Sequence, residues 1–230
     1  MIPLRDTIPT RTTPFFTHLF LAANIAAFVV QAVSDVRFTE HFAFVPARFF
    51  DAAPFGSTPG TEVLTLFTSM FLHGGLMHLA GNMLYLWIFG DNVEEAFGHG
   101  RFVVVYLTCG LAATALQTLF DPGSVVPHVG ASGAIAGVLG AYLVFFPHGR
   151  VLTLVPLFIF FPLVEVPAFL YLVFWFGLQF LSGSAALFSS AQGAGGVAWW
   201  AHVGGFVAGV SFAFAWRPRP GSGAVARWRV

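Results

Sequence analysis

Apolar residues dominate six stretches of the chain, 16–33, 75–90, 102–120, 131–146, 163–181 and 199–216, and polar residues collect between them. A bilayer-crossing helix needs roughly 20 mainly apolar residues, so the pattern predicts an all-α polytopic membrane protein with a bundle of six transmembrane helices. A further apolar run at 151–161 is too short to span, contains Pro156 and is followed by Pro162. It reads as a loop, lying at the interface or forming a re-entrant connection. The connection 34–74 is long and of mixed charge, whereas 182–198 is rich in glycine, uncharged, and reads as a mobile loop. No soluble domain or internal repeat stands out. The expected organisation is a cytoplasmic N-terminal segment at 1–15, a six-helix membrane domain at 16–216 and a basic cytoplasmic tail at 217–230.

Composition agrees with a membrane protein: 57% of the residues are hydrophobic, 9% are charged, and the mean hydropathy is +0.80. Ten basic and ten acidic residues cancel, and every basic one is an arginine, so no block of positive charge points to nucleic acid. With the N-terminus inside, Arg5, Arg11, Arg101, Arg150, Arg217, Arg219, Arg227 and Arg229 fall on the cytoplasmic side and only Arg37 and Arg48 outside. That is the positive-inside asymmetry, and it supports an even number of spans with both termini cytoplasmic. Trp199 and Trp200 at one end of the last span and Trp216 at the other fit interfacial belts. The first span has an alternative reading as a signal peptide, with Arg5 and Arg11 ahead of it and small residues after it. The lone Cys109 supplies neither an internal disulfide nor a thiolate metal set.

Within these six stretches the one acidic residue is Glu165, at the very start of the fifth, so the usual mid-span carboxylates of proton relays and cation transporters are missing. The polar side chains of interest in the later spans are His78, Asn82, Gln117, Ser132, Gln179 and His202. In the predicted topology His78, Ser132 and His202 each fall near the outer start of an inward-running span, at similar depth. Gly133 and Gly137 follow Ser132, and Gly205 and Gly209 follow His202; each pair is a G-x-x-x-G that lets helix backbones approach closely in lipid. Contact through those faces would set serine beside imidazole, the minimal activated nucleophile. His78 and Asn82 are four apart and share a helix face, so the Asn82 amide, with the His78 ring and the Ser132 N–H, is a candidate oxyanion site. The plainer readings are a capping role for Ser132 and a packing role for His202. His73 and His78 make a poor metal pair, with no third ligand to complete a set. Gln117 and Gln179 are expected to make interhelical hydrogen bonds.

These residues resemble the rhomboid intramembrane serine proteases. The resemblance lies in FLHGGLMHLAGN at 71–82, FGDNVEEAFG at 89–98, GASG at 130–133 and AHVGGFVAG at 201–209. It implies Ser132 as nucleophile, His202 as general base, His78 and Asn82 in the oxyanion hole, and Gly130 shaping the turn before the nucleophile. It also implies that FGDNVEEAFG is a structural turn after the second span, with Glu94 or Glu95 bonding backbone, and that the fifth span offers substrates lateral access. The basic six-span form further implies a bacterial plasma membrane. Two positions depart from patterns seen in some members: no Trp-Arg pair occurs in 34–74, and Ala136 stands where a tyrosine would stack on the catalytic histidine. Positioning of His202 must then come from other neighbours.

The expected activity is that of a serine endopeptidase with a Ser132/His202 dyad and no cofactor or metal. Its partners would be the lipid bilayer and single-span membrane proteins, cut near the outer face where the substrate helix unwinds. Water would reach Ser132 through a polar cavity capped by the 182–198 loop. The alternative is a non-catalytic relative that binds transmembrane helices, with a transporter a distant third.

Overall fold

The protein's structure is a computed structural model that describes residues 1–51, 58–187 and 198–216. The arginines at 217–230 and most of the 182–198 connection lie outside the described residues. In chain order the elements are β1 (Ile2–Asp6), α1 (Phe15–Val33), α2 (Val36–Phe42), α3 (Pro46–Phe50), α4 (Pro59–Thr68), α5 (Leu76–Phe97), α6 (His99–Phe120), α7 (Ser132–Phe145), β2 (Arg150–Leu154), β3 (Leu163–Pro167), α8 (Ala168–Leu187) and α9 (Trp199–Trp216). A 3-10 turn, Ser69–Phe71, follows α4.

Among the described residues three helices are long and apolar enough to cross a bilayer: α1, α6 and Ala168–Ala185 of α8. A fourth crossing is available from α4, the 3-10 turn and α5, which are bent by 77° where they meet. The fourteen residues of α7 reach only about 21 Å, short of the roughly 30 Å hydrocarbon core. Its position explains the shortness. Ala134, Ile135, Ala136, Val138, Leu139 and Ala141 are all at most 3% exposed, so α7 is wrapped by protein and need not match the lipid. Small residues make that wrapping tight. A Cβ on Gly205 would lie 1.9 Å from the Gly133 carbonyl oxygen, and one on Gly209 equally close to that of Gly137, so α7 and α9 touch backbone to backbone.

Three departures from the expected pattern have local causes. The 34–74 connection carries helices of its own: Asp35 caps α2 by accepting from the Phe38 N–H, and Thr58 with Thr61 forms a capping box at α4. Arg48 fastens them, donating to the Glu62 carboxylate at 2.8 Å and to the carbonyls of Glu40 and Ala43. The second span does not stop at Gly90. Helix α5 continues to Phe97 and so includes Asp91, Glu94 and Glu95, ending at Gly98 with φ +78°. Those acids accept hydrogen bonds from a distant part of the chain, the segment Thr10–Thr17. Glu94, fully buried, accepts from the Phe16 and Thr17 N–H groups at 2.9 and 2.7 Å, from the Thr17 hydroxyl, and lies 2.6 Å from His99 Nδ1. Helix α1 has no side-chain cap of its own, so this carboxylate satisfies the exposed donors of its first turn. Glu95 accepts from Arg11 N–H at 2.7 Å.

The third departure is a small antiparallel sheet of order β1-β2-β3 added to the helical bundle. The run read as a loop at 151–161 instead begins as strand β2, and the start of the predicted fifth span is strand β3, with α8 beginning at Ala168. Leu154 pairs with Ile2 on one side and Leu163 on the other. The Ala168 N–H donates to the Gly149 carbonyl at 2.7 Å, so α8 starts where the sheet ends. The hydroxyl of Tyr142 on α7 donates to Asp6, 2.5 Å away, and docks β1 against the bundle.

Candidate active site

The site forms where α5, α7 and α9 begin and where α8 approaches its end. Ser132 is the first residue of α7, and the cap position before it is Ala131, which makes no side-chain cap bond. The serine hydroxyl is thus not spent on its own helix. Its Oγ lies 2.9 Å from Nε2 of His202, which sits in the first turn of α9. Both side chains are half-buried. The backbone contact of α7 with α9 sets that distance, because Gly133 and Gly205 lie one residue after Ser132 and three after His202, at the point of closest approach.

The turn before Ser132 requires glycine. Gly130 has φ +128°, a region that side chains disfavour, and its N–H donates to the Ser69 carbonyl at 2.9 Å. A Cβ there would lie 2.8 Å from His78 Cε1, 2.9 Å from His78 Nε2 and 3.7 Å from Asn82 Nδ2. The two predicted oxyanion residues therefore face the backbone just ahead of the serine. Asn82 is buried, and its Nδ2 has no partner among the described residues. The Gly74 N–H reaches toward His78 Nδ1 at 3.4 Å, which makes Nδ1 the acceptor and leaves Nε2 carrying the hydrogen. An amide N–H and an imidazole N–H thus lie beside Gly130, two residues before Ser132 and the start of α7, donors of the kind that suit a developing oxyanion.

Gln117 and Gln179 both find partners. The Gln117 carbonyl accepts from the Ala201 N–H at 3.2 Å and ties α6 to the start of α9. Gln179 on α8 places Oε1 2.8 Å from Nδ1 of His202, and Trp175, one turn earlier, packs at 5.8 Å between ring centroids. These two are the neighbours of His202 that the sequence did not name. Ala136 itself is buried in α7. His73 packs edge-on against His78 at 5.2 Å, and its N–H and carbonyl both bond Gln31. Among the described residues no three His, Cys, Asp or Glu side chains are grouped to hold a metal ion.

Comparisons with known proteins agree on one family. The chain is 37% identical over 131 residues to Rhomboid protease GluP of Bacillus subtilis (strain 168), an alignment covering 56% of this chain and 24% of that protein. It is 31% identical over 162 residues to RHOMBOID-like protein 6, mitochondrial, of Arabidopsis thaliana, covering 58% of this chain and 52% of the relative. It is 32% identical over 145 residues to Presenilin-associated rhomboid-like protein, mitochondrial, of Homo sapiens, covering 61% and 35%. The chain therefore spans between about a quarter and a half of the length of these curated relatives. The Rhomboid domain family model matches residues 60–219, which include Ser132, His202, His78 and Asn82 and make up well over half of the chain. The chain belongs to the rhomboid family.

Proposed function

We propose that the protein is an intramembrane serine endopeptidase in which Ser132 is the nucleophile and His202 the general base. The observation that carries this reading is the 2.9 Å contact between Ser132 Oγ and His202 Nε2 beside an unpartnered Asn82 amide. Ser132 Oγ attacks the scissile carbonyl carbon as its proton passes to Nε2. The oxyanion takes hydrogen bonds from Asn82 Nδ2, His78 Nε2 and the Ser132 N–H. When the C–N bond breaks, Nε2 returns the proton to the leaving amine. Water, deprotonated by the same imidazole, then hydrolyses the acyl ester and restores the serine. Gly130 leaves room for the donors, and Gly133, Gly137, Gly205 and Gly209 hold the two helices at reacting distance.

In this reading α1, α5, α6, α7, α8 and α9 are the six spans of a membrane domain at 16–216, with the arginine-rich segments at 1–15 and 217–230 on the cytoplasmic side. The site then lies near the outer face, and the substrates are single-span membrane proteins whose helices unwind locally. We take the bilayer to be a bacterial plasma membrane, on similarity to the Bacillus subtilis protein. The test is cleavage of single-span reporters with helix-destabilising segments by purified protein in liposomes, comparing wild type with Ser132→Ala and His202→Ala. Equal abolition by either change is the expected result. Cleavage by Ser132→Ala at the wild-type rate would overturn the dyad and favour a relative that binds helices without cutting them.

A further inference from the structure

An imidazole can carry its single proton on either nitrogen, and only the form with a bare Nε2 can take a proton from Ser132. Something must choose between the two forms. Gln179 is 8% exposed, in the otherwise apolar stretch YLVFWFGLQF of α8, and its Oε1 lies 2.8 Å from His202 Nδ1. An amide oxygen only accepts, so this contact exists only when Nδ1 bears the hydrogen. The Nε2 lone pair then faces Ser132 Oγ. Trp175 packs at 5.8 Å and 37° and Trp199 at 6.4 Å and 88° against the imidazole, limiting its rotation. The other titratable side chain that acts on His202 is His78 of α5.

We propose that Gln179 is the positioning residue of the dyad: it accepts the Nδ1 proton of His202, selects the tautomer that leaves Nε2 free, and keeps that bond while the ring is protonated. The inference rests on the Ser132/His202 reading. A neutral amide does here what a carboxylate does in a triad, without placing a second charge at membrane depth.

The test uses full-length protein in liposomes, with kcat, KM and the pH–rate profile measured for wild type, Gln179→Leu, Gln179→Glu and Ser132→Ala. Loss of the acceptor should lower kcat about 10–100-fold for Gln179→Leu while KM stays within about twofold. Gln179→Glu offers an oxygen to the same proton, so it should restore turnover and move the acid limb of the profile to higher pH, since its charge favours the protonated ring. In wild type, ¹⁵N NMR of the His202 ring should find the proton on Nδ1. Wild-type kcat in folded Gln179→Leu, an unmoved acid limb in Gln179→Glu, or the proton on Nε2 would each overturn the assignment. The NMR result decides the matter if Gln179→Leu fails to fold. If Ser132→Ala cleaves as well as wild type, the dyad itself fails; if it is inactive while Gln179→Leu is normal, only the role of Gln179 fails.

Discussion

Ser132 stands at the first position of α7, one residue past the cap position held by Ala131, and its hydroxyl meets His202. Asn82 shows a similar availability, with a buried Nδ2 that no described group accepts. A buried amide donor without a partner is costly in the resting protein and useful once an oxyanion forms. Asn82→Ala should therefore lower kcat about 10²–10³-fold with little change in KM. Steady-state kinetics on a reporter would check this, and an equal rise in KM at constant kcat would assign Asn82 to substrate binding. Ser132, His202, His78 and Asn82 were all legible in the sequence, because polar side chains are conspicuous in apolar spans. The partner of Gln179 was not, because an amide at that depth can bond several neighbouring helices. Which one it meets depends on how α8 packs against α9, and spacing along one chain does not encode that.

At the scale of the elements, the joint between α7 and α9 is the feature on which the site depends. Gly209 has the Gly137 carbonyl 1.9 Å from where its Cβ would be, whereas a Cβ on Gly177 of α8 would meet nothing within 4 Å. Gly209→Ala should force the helices apart and cost about 1–3 kcal/mol; Gly177→Ala should leave stability unchanged or raised. Thermal unfolding in detergent distinguishes the two, and equal melting temperatures would deny the close contact. The last turns of α5 rest on another joint. Glu94→Ala strands the donors of Phe16, Thr17 and His99 and should cost about 3 kcal/mol by the same measurement. The limits of α1 and α7 were readable from hydropathy to about one residue, and α9 matches its expected range. The extension of α5 was not, since Asp91, Glu94 and Glu95 look like loop residues until the N-terminal donors that satisfy them are known. Strand β2 was hidden for a related reason: its partner β1 lies almost 150 residues earlier.

Across the whole molecule, polar contacts far from Ser132 hold the N-terminal segment to the bundle. The Asp6 carboxyl is raised from 3.8 to about 6, chiefly by burial; the hydrogen bond from Tyr142 lowers it and the nearby Asp91 charge adds to the rise. The folded protein thus binds this proton more tightly than the unfolded chain. Stability from Asp6 is greatest at low pH and is lost as pH rises through 6. Hydrogen exchange in β1, corrected for intrinsic rates, should be slower at pH 5 than at pH 7.5, and Asp6→Asn should remove the difference. A pH-independent rate in wild type would contradict it. The central claim concerns the other end of the bundle, and one measurement reaches it without knowledge of the substrate. A fluorophosphonate probe applied to folded protein in liposomes, with the adduct located by mass spectrometry, should label Ser132 alone and should fail to do so in His202→Ala. Labelling of Ser132 at the wild-type rate without His202, or an unmodified Ser132 in folded wild type, would contradict the account.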